Sequence, residues 1–296
     1  MLNEYLLNLK NILQERNVKD VDDIIDYFNE MINDRLDNGE SIDQIIESLG
    51  DVNELANNFA PDQNIPTKVQ STNNNLKYLG IEKLKIENIS YNYHIIPSNN
   101  DELSIEYDED SSTNLSIKQI DNVLKIEQEY NNIMKGLFNR GFNFNNNNLK
   151  ATIYLPKHIS LFEFENVTGD LTLNNQTIDN IDIENVSGDI KLDDINCQKI
   201  SLESVSGDVL INNIIVKEKT SLEIVSGDIK IDNIKCSKIK AESVSGDIDI
   251  SIVGRKQDTN IQIEKLMHEE KHVADSDNYL KFESVTGDLK YSFLND

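Results

Sequence analysis

The tetrapeptide Val-Ser/Thr-Gly-Asp occurs six times in this chain, with its glycines at Gly169, Gly188, Gly207, Gly227, Gly246 and Gly287. The intervals are 19, 19, 20, 19 and 41 residues. A period near 20 residues is the signature of a stacked solenoid, because each repeat buries its apolar face only against its neighbours. Aligned on the glycine, position +2 reads Leu171, Ile190, Val209, Ile229, Ile248 and Leu289, and position +4 reads Leu173, Leu192, Ile211, Ile231, Ile250 and Tyr291. The residue three before each valine is also apolar: Phe164, Ile183, Leu202, Leu222, Ala241 and Phe282. These columns predict two short strands per coil, with the glycine at a tight corner that needs positive φ or no Cβ. The interval of 41 is about two periods and predicts a diverged coil that has absorbed an insertion around residues 255–275. A propeller blade would need about 40 residues and more aromatics.

Alternation of apolar and polar residues begins near Leu79, as in Leu84-Lys85-Ile86-Glu87 and Leu103-Ser104-Ile105-Glu106; period two is the mark of strands. The first sixty residues follow the helical period instead. Leu2, Leu6, Leu9 and Leu13 share a face. Asp20 stands as an N-cap, with Asp23 three residues on, before Val21, Ile24, Ile25, Phe28, Ile32 and Leu36, and Asn38-Gly39 closes that helix. Ser41 and Gln44 form a capping box, Gly50 stops the third helix, and Asp51 with Glu54 opens a fourth that ends before Pro61. Residues 61–78 are rich in Asn, Thr, Ser and Gln and read as a linker. The expected organisation is a helical domain over 1–60, a linker over 61–78 and a β domain over 79–296. The fold class is mainly β: a single-stranded β-solenoid, or β-helix-like domain, of about 20 residues per coil behind a small N-terminal helical bundle.

Two family resemblances follow from these residues. The run from Glu40 to Ala56, with Ser41, Ile45, Ile46, Leu49-Gly50-Asp51 and Leu55-Ala56, resembles the end of a HAAS-type helical domain, except that Val52 stands where the family carries Pro. The resemblance covers residues 1–60. It implies a bacterial signalling or interaction module, often encoded beside PadR-type transcription regulators, with no catalytic residues to carry over. The repeated V-S-G-D-I, following the aliphatic-Pro step Ile153-Tyr154-Leu155-Pro156, resembles the bacterial putative-adhesin family of β-strand repeats over residues 80–296. Members pair with HAAS-like or membrane-anchoring segments and are associated with envelope stress. The family label implies no specific ligand.

Charge narrows the partners. With 28 basic against 53 acidic residues, the net charge of -25 opposes nucleic acid and anionic lipid surfaces, which are bound through Lys and Arg. No apolar run of about 18 residues is present, so no membrane span is expected, and the N-terminus lacks a secretory pattern. Cytoplasmic residence is the expectation, with non-classical export to the cell surface as the alternative. Cys197 and Cys236 both fall nine after a glycine, two coils apart, so they are expected to be buried core thiols beyond disulfide reach.

Two acidic columns stand out: an Asp after each glycine (Asp170, Asp189, Asp208, Asp228, Asp247, Asp288) and a Glu four before it (Glu165, Glu184, Glu203, Glu223, Glu242, Glu283). Carboxylates about 4.8 Å apart repel by about 0.9 kcal/mol per pair even in water, so something must compensate. The plain expectation is that each Asp accepts hydrogen bonds from turn amides or the adjacent hydroxyl. The sharper alternative is a row of calcium sites at Asp189, Asp208, Asp228 and Asp247. The pair His268-x-x-x-His272 lacks a third ligand and is expected in a solvated loop or short helix; no catalytic set or cofactor is expected. The chain reads as a non-enzymatic signalling or envelope-stress protein. Its helical domain would bind a regulatory or membrane protein, and its solenoid would act as a scaffold. The alternatives are a calcium-binding or adhesive surface solenoid and, more remotely, a carbohydrate-active β-helix enzyme; oligomeric state stays open.

Overall fold

A computed structural model describes residues 2–16, 18, 21–37, 39–57, 59, 76–108, 113–130, 149–265 and 268–296. The chain divides into a helical and a β unit. The helical unit holds α1 (Leu2–Glu15), α2 (Val21–Asp37), α3 (Ile42–Leu49) and α4 (Val52–Asn57). Leu6, Leu9, Leu13, Ile24, Phe28, Ile32, Ile45, Leu49, Leu55 and Phe59 are buried, each contributing about 1.5–3 kcal/mol when fully removed from water. Ser41 and Gln44 make both bonds of the capping box. Gly39 and Gly50 stop their helices at φ 89° and 72°, and the Asp51 side chain accepts the Asn53 amide at 2.8 Å. The Tyr5 hydroxyl donates to the Gly50 carbonyl at 3.0 Å, and burial, with Asp51 nearby, pushes its pKa up to about 12. Asp20 and Asn38 lie outside the described residues, as do 61–75 of the expected linker.

The β unit comprises β1 (Leu76–Leu79), β2 (Lys83–Asn88), β3 (Asn92–Pro97), β4 (Glu102–Tyr107), β5 (Thr113–Ile120), β6 (Val123–Tyr130), β7 (Lys150–Leu155), β8 (His158–Asn166) and β9 (Leu171–Asn185). It continues with β10 (Ile190–Ser206), β11 (Val209–Ser226), β12 (Ile229–Cys236), β13 (Lys238–Ser245), β14 (Ile248–Ile252), β15 (Asn260–Lys265), β16 (His268–His272), β17 (Tyr279–Thr286) and β18 (Leu289–Phe293). Strand β1 thus starts inside the segment expected as linker.

Successive coils pair in parallel and in register: β9 with β10, β10 with β11, β11 with β12 and β13, and these with β14 and β17. Within β10 the inward residues are Ile190 and Leu192, then Ile195 and Cys197, then Ile200, Leu202 and Ser204. Alternation breaks between these groups, so each coil has three sides rather than the two expected. One break is made by Asp194 at φ 54°, repeated at Asn175, Asn213 and Asn233; Asn and Asp tolerate this left-handed conformation best among residues with a side chain. The 20-residue interval from Gly207 to Gly227 is absorbed by a bulge opposite Cys197 and Lys199.

The repeat glycines satisfy two demands at once. Gly207 has φ 107°, and a Cβ there would lie 2.2 Å from the Gly188 carbonyl oxygen of the preceding coil; Gly188, Gly227, Gly246 and Gly287 repeat this close approach. The column begins one coil earlier than the motif. A Cβ on Gly169 would meet the Tyr91 carbonyl oxygen at 2.5 Å, so Ile89-Ser90-Tyr91-Asn92 occupies the corner of a first, disguised coil formed by β2 and β3.

The 41-residue interval is not two stacked coils. Gly287 lies directly on Gly246, β17 pairs with β13, and β18 pairs with β14. The intervening residues fold as the antiparallel β15–β16 hairpin, whose β15 adds in parallel to the outer side of β17. His268 and His272 therefore lie on a strand, not in a loop or helix, about 13 Å apart at strand rise. The other end uses the same device: β6 and β7 come later in sequence but pair outside β2 and β3.

Candidate functional site

One side of the solenoid carries a groove of about 990 Å³ that crosses every coil from Gln128 and Glu87 to Glu264 and Val285. Its pattern comes from three consecutive residues at the end of one coil side. The first, Glu, points outward; the second, Asn or Ser except for Ile224 in one coil, points inward; the third, Val, points outward at the corner before Ser/Thr-Gly-Asp. Register places Glu127, Glu87, Glu165, Glu184, Glu203, Glu223, Glu242, Glu283 and Glu264 in one continuous column. Beside it, Val167, Val186, Val205, Val225, Val244 and Val285 are 41–51% exposed, a straight ridge of β-branched side chains left half in water.

Between the two columns runs a buried polar ladder. Asn88 Nδ2 donates to Asn166 Oδ1 at 2.7 Å, Asn166 Nδ2 to Asn185 Oδ1 at 2.6 Å, and Asn185 Nδ2 to Ser204 Oγ at 3.0 Å. Each Asn also donates to a corner carbonyl of its own coil, Asn166 to Gly169 at 2.8 Å and Asn185 to Gly188 at 2.9 Å. Buried amides cost stability unless paired, so this ladder locks the corner and the groove floor together. At its first end Gln128 accepts the Ile89 and Ser90 amides at 2.9 and 2.8 Å.

Among the described residues, cations neutralise the Glu column on either side of its middle. Lys125 pairs with Glu87 and Glu127 at 2.6 and 2.7 Å, Lys240 with Glu223 and Glu242 at 2.9 and 2.8 Å, and Lys281 with Glu283. These hydrogen bonds hold the Glu127 and Glu283 carboxyls below the usual carboxylate range. Glu165, Glu184 and Glu203 have no ion pair among the described residues, and the residues two before them are Glu163, Asp182 and Ser201. Glu163 is itself paired with Lys85, so the unpaired carboxylates of the column's middle are Glu165, Glu184 and Glu203.

The Asp column serves a different purpose. Oδ1 of Asp170 accepts the Asp189 amide at 2.9 Å, and the pattern repeats from Asp189 to Asp208, Asp208 to Asp228, Asp228 to Asp247 and Asp247 to Asp288 at 2.7–2.9 Å. Asn92 opens the series by accepting the Asp170 amide at 2.8 Å. The compensation expected from turn amides is therefore supplied by the amide of the next coil. The calcium candidates Asp189, Asp208, Asp228 and Asp247 stand in this column in line. Among the described residues, no group of three or more His, Cys, Asp and Glu side chains is placed to hold a metal ion.

The two cysteines flank Val216, one coil on either side, and both are free. Cys197 is buried and its pKa is pushed up to about 12 by burial. Cys236 is only partly buried, contrary to expectation, because it sits where the chain leaves β12; its thiol donates to the Lys238 carbonyl at 3.1 Å and is also raised by burial. At both, burial favours the thiol over the thiolate. Between α1 and α2, Lys10 lies 2.6 Å from Asp22. No helix among the described residues is long and apolar enough to cross a membrane.

Residues 4–58 match the HAAS family model, and residues 81–293 match that of the family described as Toastrack DUF4097. No curated protein matches the chain. Among solved structures, a "putative adhesin" of Bacteroides fragilis is 20% identical, with 75% of this chain and 99% of that one covered and a TM-score of 0.42. A "putative cell adhesion protein" of Clostridium sporogenes is 13% identical over 74% and 98% of the two chains, with a TM-score of 0.30. A "putative adhesin" of Parabacteroides distasonis is 15% identical over 76% and 98%, with a TM-score of 0.31. With its coils, corners and groove inside a match that spans most of its length, this chain belongs to the Toastrack DUF4097 family and carries a HAAS domain at its N-terminus.

Proposed function

We propose that this protein is a non-enzymatic bacterial interaction protein of signalling or envelope-stress pathways, resident in the cytoplasm. Its HAAS domain engages a regulatory or membrane protein, and its solenoid is the scaffold that presents a binding surface. The observation that carries this reading is the groove: a half-exposed valine ridge beside a carboxylate column, continuous across the coils. Soluble proteins seldom leave contiguous apolar surface in water unless a partner covers it, and net charge of -25 favours a basic partner over nucleic acid or anionic lipid. Affinity recovery of the tagged chain from its native cells, with membrane and cytosol fractions analysed separately, tests it. Recovery of one regulator or membrane protein, lost when residues 1–60 are deleted, supports the reading. Recovery of the protein alone, mostly outside the cell, contradicts it.

The second reading, a calcium-binding or adhesive surface solenoid, draws on the Asp column alone. It requires a calcium-dependent rise in melting temperature that disappears in Asp208→Asn.

A further inference from the structure

We infer that the middle of the groove, where Glu165, Glu184 and Glu203 face Val167, Val186 and Val205, is the docking site for a basic amphipathic α-helix of a partner protein. This rests on the scaffold reading above and names the partner's chemistry.

Charge and apolarity select the class. Among the described residues the three carboxylates lack cations of their own, whereas Lys125, Lys240 and Lys281 neutralise the column on either side. Among the described residues this is the longest run of the column with unmet demand for positive charge; the other unpaired carboxylate, Glu264, stands alone at the far end. The valines lie two residues further along the same strand ends and stay half in water, so the occupant needs a lysine or arginine stripe beside an apolar one.

Spacing selects the conformation. Coils repeat about every 4.8 Å, and one helical turn advances 5.4 Å, so side chains at i, i+4 and i+7 drift by only about 1.2 Å across three coils. Flexible Lys and Arg stems absorb that drift. An extended chain repeats its same-face side chains about every 6.7 Å and falls out of step by nearly a whole coil over the same length.

The chain's own helices do not fit. Along α1–α4 the basic residues are Lys10 and Arg35, and both are engaged, Lys10 with Asp22 and Arg35 with Glu40 and Ser48. A second copy would bring the same acidic groove and be repelled.

The test titrates the full-length protein with a synthetic 14-residue helix-forming peptide bearing Lys at every third or fourth position beside a Leu stripe, read by fluorescence anisotropy at two salt concentrations. A peptide of equal composition with alternating Lys and Leu serves as comparator. The expected result is binding by the helical pattern, weaker at high salt, and at least roughly tenfold weaker for the alternating pattern and for Glu184→Gln/Glu203→Gln. Asp208→Asn, which removes one charge from the other column, leaves affinity unchanged. Equal binding of both peptides, or equal loss in Asp208→Asn, overturns the inference by showing charge attraction alone. Absence of binding overturns it too. The scaffold reading fails separately, if the partner recovered from native cells still binds after the groove variant and the valine variant Val186→Asp.

Discussion

The Asp corner and the Glu groove are built from the same chemical group at the same spacing, one residue per coil, on opposite sides of the repeat glycine. They differ in what meets the charge. Every corner Asp from Asp170 to Asp247 accepts the amide of the next coil's Asp at 2.7–2.9 Å, so the column is held by hydrogen bonds running along the stack. Lys191, Lys230 and Lys290 border the same surface. Among the described residues, the groove carboxylates from Glu165 to Glu203 accept no such amide and meet no cation. One column is part of the frame; the other is a surface with its charge unspent. Position in the repeat, not residue type, separates the acids that build the frame from those left at the surface.

That contrast breaks first at the glycine between the columns. Gly207→Ala forces a Cβ to 2.2 Å from the Gly188 carbonyl at φ 107°, and urea melts are expected to show a loss of about 3 kcal/mol or more. Next, Asp208→Ala removes the acceptor for the Asp228 amide and is expected to cost about 1 kcal/mol. Asp208→Asn, which keeps an oxygen in place, costs less. The groove moves the other way: Glu203→Gln relieves repulsion from Glu184 and raises stability by a few tenths of a kcal/mol at low salt, with the gain vanishing as salt rises. Val205→Thr, half-exposed and lost to no core neighbour, changes melting by no more than about 0.5 kcal/mol.

The smallest effect is acid sensitivity at the ends of the groove. Glu127 and Glu283 are held below their ordinary value by Lys125 and Lys281. Their stabilisation is fully present above about pH 4.3, the unfolded value, and is lost as pH falls through the lower folded value. Lys125→Gln and Lys281→Gln should flatten that part of a stability-versus-pH curve, while leaving Glu203→Gln chains no more acid-sensitive than before.

Much of the frame was legible because local chemistry dictated it. Ser41 with Gln44, Gly39 and Gly50 mark helix ends wherever they stand, and the glycine column announces coils by its period alone. The third side of each coil was missed because runs of two inward residues, such as Ile195 and Cys197, are too short to show alternation. The signal was present in the Asn/Asp column at 175, 194, 213 and 233, six after each glycine, where a left-handed residue resets the phase. The first coil was hidden because Tyr91 and Asn92 replace Gly-Asp. The long interval between Gly246 and Gly287 misled because length does not reveal that β15 adds outside β17. The groove itself was half legible: parity from buried Leu202 places Glu203 out, Ser204 in and Val205 out. The absence of cations beside Glu184 depends on cross-coil neighbours, which only the register supplies.

The most direct test of the division between frame and surface is a side-by-side affinity recovery from native cells with wild-type, Glu184→Gln/Glu203→Gln and Asp208→Asn chains of matched folding. The account predicts that the groove variant loses the partner and Asp208→Asn retains it. Retention by the groove variant, or loss in Asp208→Asn, would contradict it.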